Sequence, residues 1–397
     1  MKKRIILVLF TLLLCGCSYD KYEMPKDAFI NTNEKEYKVY STDGKLYDLI
    51  GDTNTEILSK NKTLNTDEIG EQEVEVSYKY KKRDYLYKIK YTVIDDEAPI
   101  MLGSKSNVTY LVNSEFDLCD LTNYIDNYSR IPTCSIVGDY DPNKVGTYNL
   151  KYKINDQSDN FIEEDFTLNI VSELPKSSGG SSYYTKEYDY FEDEVRKYKN
   201  DNTMVGIDVS RWQETIDFKK VKEAGCDFVI MRIGIQDDID AEISKDRYYD
   251  TYIKDAKDAG LKIGVYVFNS SINEEMAIVN AKETIKYLNG EKLDFPVAYD
   301  FENWSSIKSY NMNLHDLESS INAFRDELKK AGYDTMLYSS KWYLEHVWPN
   351  EDEYPVWLAH YTSNTNYQGD YIMWQKTNGG KIDGISGDVD IDIYYIK

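Results

Sequence analysis

Histidine is scarce in this chain, with three in 397 residues. That argues against a multi-histidine metal site and against a histidine-dependent relay. Cysteine is scarce too, five in all, and no Cys-x-x-Cys pair occurs, which argues against structural zinc. Basic charge is in deficit: 47 Lys and Arg stand against 70 Asp and Glu, a net charge of −23. Such a surface repels phosphate, so nucleic acid is not an expected partner. With 29% charged residues the chain is too polar for a multi-span membrane protein. What it does have is a folding composition: 41% apolar and 14% aromatic residues, including 37 Tyr. Its length suits two to four domains.

Residues 1–16 read as an export leader. Lys2, Lys3 and Arg4 precede an apolar run, Ile5 to Leu14. As a helix this run spans about 15 Å, half of a bilayer core of about 30 Å, which is the shape of a signal peptide. It ends Leu14-Cys15-Gly16-Cys17, which resembles the bacterial lipobox. The resemblance implies cleavage after Gly16 and lipid on the Cys17 thiol. The mature protein would then be held outside the cytoplasmic membrane, facing the cell wall. The alternative is an ordinary signal peptide with incidental cysteines. Cys119 and Cys134, fifteen apart in a β-rich segment, suit either a disulfide in an oxidising compartment or two buried thiols. Cys226 opens an apolar strand and reads as an inert core thiol.

Residues 17–35 form a polar tether. From 36 to 172 the pattern is all β. Segments such as Glu71 to Tyr80, Tyr85 to Ile94, Thr147 to Ile154 and Phe161 to Val171 alternate apolar and polar at period two. Asp67-Glu-Ile-Gly before one strand echoes Asn143-Lys-Val-Gly before another, about 76 residues on. Two small sandwiches are expected, 36–96 and 97–172. Asp95-Asp-Glu-Ala-Pro resembles the start of bacterial immunoglobulin-like surface modules. That implies spacers, or adhesive elements with a cell-surface protein partner. Residues 173–203 read as a linker, flexible at Pro175-Lys-Ser-Ser-Gly-Gly-Ser-Ser, with a short helix around Glu192 to Tyr198.

From Met204 to Lys397 strand and helix alternate. Helical segments end Ala224-Gly225, Ala259-Gly260 and Ala331-Gly332, and an apolar strand follows each. Repeated β-α units imply a parallel sheet. After Tyr354 the helices fade, which suggests a β/α barrel with reduced outer helices. In such barrels chemistry gathers where strands end. Val205-Gly-Ile-Asp208 ends in an acid, Phe295-Pro-Val-Ala-Tyr-Asp300-Phe-Glu302 in two, and Asp388-Val-Asp390 lies in the last strand. Asp300 and Glu302, two apart, would point to one face, and paired carboxylates are what glycosidic cleavage needs. The spacing alone is weak evidence in so acidic a chain; its place at a strand end strengthens it. Crowded acids also keep one carboxyl protonated near neutrality.

These residues carry a family resemblance. Gly206-Ile-Asp208-Val-Ser-Arg-Trp-Gln213, Phe228 to Arg232, Gly264-Val-Tyr266-Val-Phe268, Val297 to Glu302, Leu337-Tyr338-Ser339, Val356-Trp357 to Tyr361, Trp374-Gln375 and Gly384 to Asp390 occur in order. Together they resemble glycoside hydrolase family 25, the Chalaropsis-type muramidases. The resemblance implies a flattened β/α barrel, no cofactor and no metal. It implies cleavage of peptidoglycan glycan strands between N-acetylmuramic acid and N-acetylglucosamine. Glu302 would be the acid/base and Asp300 would act through the substrate N-acetyl group. Asp208 and Asp390 would complete an acidic floor. Tyr266, Phe268, Arg232, Tyr338, Trp357, Tyr361 and Gln375 would line the groove, the aromatic faces stacking on sugar rings. Arg232 suits an ion pair or a substrate contact. The sequence departs from the family pattern at Glu214, where Gly is common, at Val267, where His is common, and at Asp392, where Asn is common. The competing readings are a wall-binding protein without turnover and an adhesive lipoprotein.

Overall fold

The computed structural model describes residues 22–175, 188–239, 241–348 and 353–396. The leader, Cys17 and most of the Ser/Gly-rich stretch lie outside the described residues. The chain divides into two compact units, Met1–Asp96 and Glu97–Lys397.

The first unit is built on a long antiparallel hairpin, Gly70–Tyr80 with Arg83–Ile94. Val74, Val76 and Tyr78 on one arm and Ile89, Tyr91 and Val93 on the other are all buried. Their period of two puts all six on one face. Glu36–Lys38 adds parallel to the second arm and Glu56–Ile57 antiparallel to the first. Leu46 and Leu49, from a single 3-10 turn, close the core.

Residues 97–172 repeat this plan strand for strand. Gly146–Asn155 hairpins with Phe161–Val171, Asn107–Leu111 adds parallel to the second arm, and Thr133–Val137 adds antiparallel to the first. The 3-10 turn Leu118–Leu121 recurs before the edge strand, and Cys119 is joined to Cys134 by a disulfide. The echo between the two glycine-led strands is therefore a duplicated topology.

This second module belongs to the same compact unit as the C-terminal domain. Arg130 forks onto the buried Asp316 carboxylate. The Asn123 side-chain amide donates to the Trp304 carbonyl. Asn313 Nδ2 donates to the Tyr128 carbonyl at 2.7 Å, Leu314 N to the Asp126 carbonyl at 2.8 Å and Lys308 Nζ to the Cys119 carbonyl at 2.9 Å. On the short strand Asn123–Ile125, Tyr124 faces the module core while Ile125 enters the core of the neighbouring domain. Alternation along a strand thus serves two cores at once.

The C-terminal domain is a closed barrel. Its strands are β1 (Thr203–Val209), β2 (Phe228–Ile235), β3 (Lys262–Phe268), β4 (Val297–Asp300), β5 (Thr335–Ser340), β6 (Val356–Ala359), β7 (Met373–Lys381) and β8 (Val389–Tyr395). β1 to β7 pair in parallel, in chain order. β8 runs antiparallel to both β7 and β1 and closes the ring. Helices α1 (Phe218–Glu223), α2 (Tyr249–Asp258), α3 (Glu274–Leu288), α4 (Leu314–Lys330) and α5 (Lys341–His346) follow the first five strands. Among the described residues no helix follows β6 or β7, in line with the fading helical pattern. Asp217, Asn273 and Asn313 cap α1, α3 and α4 through their side chains. Leu317, Ile321, Phe324 and Leu328 form the buried stripe of α4, each stabilising the fold by about 2 kcal/mol.

The expected linker is partly barrel. Asp189–Tyr190 pairs with β7, and the helix Phe191–Tyr198 buries Phe191 in the barrel's outer core. Lys376 on β7 pairs with Asp189 at 2.8 Å and Glu194 at 2.9 Å. Phe191, Val195 and Tyr198 recur at helical spacing, which explains the docking.

The module-to-barrel seam gives a prediction. Arg130→Ala removes an ion pair with one exposed partner and should cost about 1 kcal/mol or less. Asp316→Ala also removes the reciprocal cap with Asn313 at the start of α4 and should cost about 2 kcal/mol. Urea unfolding of the full chain checks both; equal effects would contradict the assignment.

Candidate active site

Inward-facing positions alternate along each strand, and their chemistry changes from one end of the barrel to the other. Toward the N-terminal ends of the parallel strands the interior is apolar. Phe228, Phe295 and Tyr394 plug it, with ring centroids 4.9 to 6.4 Å apart. Gly206 faces this plug, and a Cβ there would lie 2.5 Å from Phe228, so only glycine fits. Toward the C-terminal ends of the parallel strands the interior turns polar. Asp208, Arg232, Tyr266, Asp300, Tyr338 and Gln375 line a cavity of about 290 Å³ with Glu302, Tyr361 and Asp390. Every catalytic and groove residue expected from the sequence lines this one cavity, Phe268 and Trp357 included.

β8 brings the ends of the domain together. Its antiparallel register places Asp390 opposite Asp208. Asp300 is the last residue of β4, and Glu302 lies two residues beyond the strand rather than on it. Asp300 is buried, and its Oδ1 has no hydrogen-bond partner among the described residues. Glu302 opens to solvent, yet the protein packed around it raises its pKa. Burial, then Glu302 and Asp208, hold the Asp300 carboxyl well above the usual range, against the pull of Arg232. Burial, then Asp208 and Glu302, push Asp390 up to about 9.

A neutral scaffold orients these acids. Tyr338 and Tyr361 hydroxyls donate to Gln375 Oε1 at 2.8 and 3.0 Å. That fixes the amide so that Nε2 donates to Asp208 Oδ2 at 2.7 Å. Arg232 makes the ion pair. Its Nε donates to Asp246 Oδ2 at 2.9 Å, and its Nη2 lies 2.7 Å from the same oxygen. Asp246 is held in turn by the backbone N–H groups of Arg211 and Tyr248.

The expected roles of some aromatics change. Trp357 is 1% exposed and Tyr338 7%, so neither offers a face to a sugar. Trp357 Nε1 donates instead to Asp392 Oδ1 at 2.9 Å. The exposed rings at the mouth are Trp212 at 73%, Tyr361 at 53% and Trp342 at 40%. A second cavity of about 570 Å³ adjoins the first, sharing Glu302, Tyr338 and Tyr361, and Trp342, Tyr343 and His360 wall it. Glu302 therefore stands between two lobes of one groove. His360 is structural in its contacts: Nδ1 meets Thr365 Oγ1 at 2.9 Å. Asp246, Asp392 and Trp342 were not among the expected site residues. Asp392 was findable, since it follows Asp390 by two; Asp246 lies in a loop that carries no periodic signal.

A closed β/α barrel with paired acids between two aromatic-walled lobes is a barrel of the glycoside hydrolase type. Within that class, residues 207–385 match the family model Glycosyl hydrolases family 25, and the C-terminal half of this chain is a domain of that family. An autolytic lysozyme of Clostridium acetobutylicum is 28% identical over 191 residues, covering 48% of this chain and 55% of that protein. Lysozyme M1 of Streptomyces globisporus is 27% identical over 198 residues, covering 47% of this chain and 65% of that protein. The chain thus spans little more than half the length of the first of these relatives. Among solved structures, the modular autolysin LytC of Streptococcus pneumoniae superposes with a TM-score of 0.45 at 25% identity, covering 62% of this chain and 56% of that one.

The crowded floor makes stability depend on pH. Asp390 holds its proton to about pH 9 in the folded barrel, whereas an unfolded Asp releases it near pH 4. Its contribution is therefore fullest below about pH 4 and is lost as pH rises toward 9. Asp390→Asn should flatten the fall in urea midpoint between pH 5 and pH 8. An unchanged slope would show that Asp390 ionises normally.

Proposed function

We propose that the barrel domain is a muramidase that hydrolyses the β-1,4 bond between N-acetylmuramic acid and N-acetylglucosamine in peptidoglycan. The observation that carries this reading is the pair Asp300 and Glu302. One is buried with an unpartnered oxygen; the other is open to solvent between two lobes, with its pKa raised. Interacting carboxyls of this kind titrate as a unit and hold one proton to higher pH. With substrate bound, that proton resides on Glu302, which donates it to the glycosidic oxygen as the bond to the anomeric carbon breaks. Asp300 accepts the N–H of the substrate acetamido group and stabilises positive charge there as its carbonyl oxygen closes on the anomeric carbon. Glu302, now a carboxylate, takes a proton from the water that opens this intermediate. Asp208 and Asp390 complete the acidic floor of the cavity beneath the reacting sugar. Tyr361, Trp212 and Trp342 supply exposed faces for neighbouring rings.

The rest of the chain extends the proposal. Cys17 carries the lipid that holds the protein to the outer face of the cytoplasmic membrane. The two duplicated β modules are immunoglobulin-like, and the tether confines hydrolysis to nearby glycan. Full-length protein and its Glu302→Gln variant, incubated with purified sacculi, test the reading. Wild type should release muropeptides ending in reducing N-acetylmuramic acid, and the variant should be at least about 100-fold slower. Binding to sacculi without release by wild type would overturn it in favour of a wall-binding protein.

A further inference from the structure

Asp392 is a buried carboxyl that the reaction outlined above leaves without a task. It follows Asp390 by two residues on β8, so both face the barrel interior. It sits one step deeper than the Asp208–Asp390 pair, opposite Gly206 on β1 and Gln375 on β7. Its exposure is 0%. Oδ1 accepts the Trp357 indole N–H, whereas Oδ2 is buried and no donor among the described residues reaches it. The side chain beside it is another acid: Asp208 follows Gly206, the residue opposite Asp392, by two on β1, so the two buried carboxyls are consecutive inward-facing groups on paired strands. Asp208 Oδ2 is already taken by Gln375, whose orientation two tyrosine hydroxyls fix.

An ionised carboxylate only accepts hydrogen bonds, so two in contact need a proton between them. We propose that Asp208 and Asp392 share one proton, and that Asp392 is the positioning residue that keeps Asp208 in place with a single charge on the pair. The charged and titratable surroundings favour this. Asp390 lies beside the pair on β8, Asp300 at the end of β4, and Glu302 just beyond it. Tyr266 on β3, Tyr338 on β5 and Tyr361 after β6 are neutral hydroxyls. Arg232 on β2 is the cation among the cavity-lining residues, and Asp246 already pairs with it. Gln375 and Trp357 complete the shell without charge. Burial first, then Asp392, raises the Asp208 carboxyl pKa, and burial first, then Asp390, raises that of Asp392.

Losing the shared proton puts a second negative charge in the barrel interior. The folded state should therefore lose stability as pH rises, because the unfolded chain has already released that proton near pH 4. Asparagine at 392 can replace the proton permanently: its amide N–H donates to Asp208 while its oxygen still accepts from Trp357. Alanine can do neither.

The experiment compares full-length wild type, Asp392→Asn and Asp392→Ala. Urea midpoints from pH 6 to 9 should fall less steeply in Asp392→Asn than in wild type. A protonated-carboxyl infrared band present at pH 7 in wild type should be lost in Asp392→Asn. On sacculi, Asp392→Asn should stay within about 3-fold of wild type at the wild-type pH optimum and extend activity roughly one pH unit to the alkaline side, while Asp392→Ala should lose at least about 10-fold in kcat at every pH. An identical pH slope and an unchanged band in Asp392→Asn would overturn the proposal, as would equal activity of the two variants. Only the activity arm rests on the muramidase reading. If wild type does not hydrolyse sacculi but the stability and infrared results hold, that reading fails and the shared proton stands.

Discussion

The carboxyl groups at the mouth of this barrel outnumber the positive charges that could balance them. Asp208, Asp300, Glu302, Asp390 and Asp392 converge, and each has its pKa raised. Arg232 is spoken for by Asp246. Where cations are missing and water is excluded, protons take their place. An acid that keeps its proton above the ordinary carboxylate range is thus a consequence first of burial and then of neighbouring acids. The same crowding weakens the fold as pH rises, so the site trades stability for chemistry.

The barrel tolerates this because the rest of its interior is apolar and tightly filled. Phe228, Phe295 and Tyr394 seal one end, and the floor of acids begins one layer above Met336 and Met373. Neutral donors then hold the acids in place. Trp357 fixes Asp392, and Gln375, held by Tyr338 and Tyr361, fixes Asp208. β8 is the element that makes the arrangement: by running antiparallel it returns Asp390 and Asp392 to the side of Asp208, nearly the full length of the domain away in sequence. The adjoining β module braces the segment just after Glu302, since Asn123 binds the Trp304 carbonyl and Lys308 binds that of Cys119.

Much of this was legible in the sequence, and for identifiable reasons. Period-two alternation announced the strands of both modules, and Ala-Gly helix ends followed by apolar runs announced the β-α units. Gly225 and Gly260 do take the left-handed φ, 98° and 74°, that such ends need. Asp208, Asp300, Glu302 and Asp390 were visible because strand ends in a barrel share one mouth. The direction of β8 was not visible, because a short apolar strand reads the same in either sense. Nor was the burial of Trp357, whose ring has the same letter whether it stacks on a ligand or donates to Asp392. Docking of the second module escaped notice because it rests on scattered polar contacts from Asn123, Arg130 and Asn313. Glu214 shows the converse: its φ of 53° is a conformation that favours glycine, which explains why a departure there stood out.

The central claim is that the protein packed around Glu302 keeps its carboxyl protonated above the ordinary glutamate range. The pH dependence of kcat/KM on soluble glycan oligomers, which reports the ionisations of the free enzyme, tests it most directly. The account predicts an alkaline limb set by an ionisation clearly above the ordinary glutamate value of 4.5. Loss of activity centred at that ordinary value would contradict it.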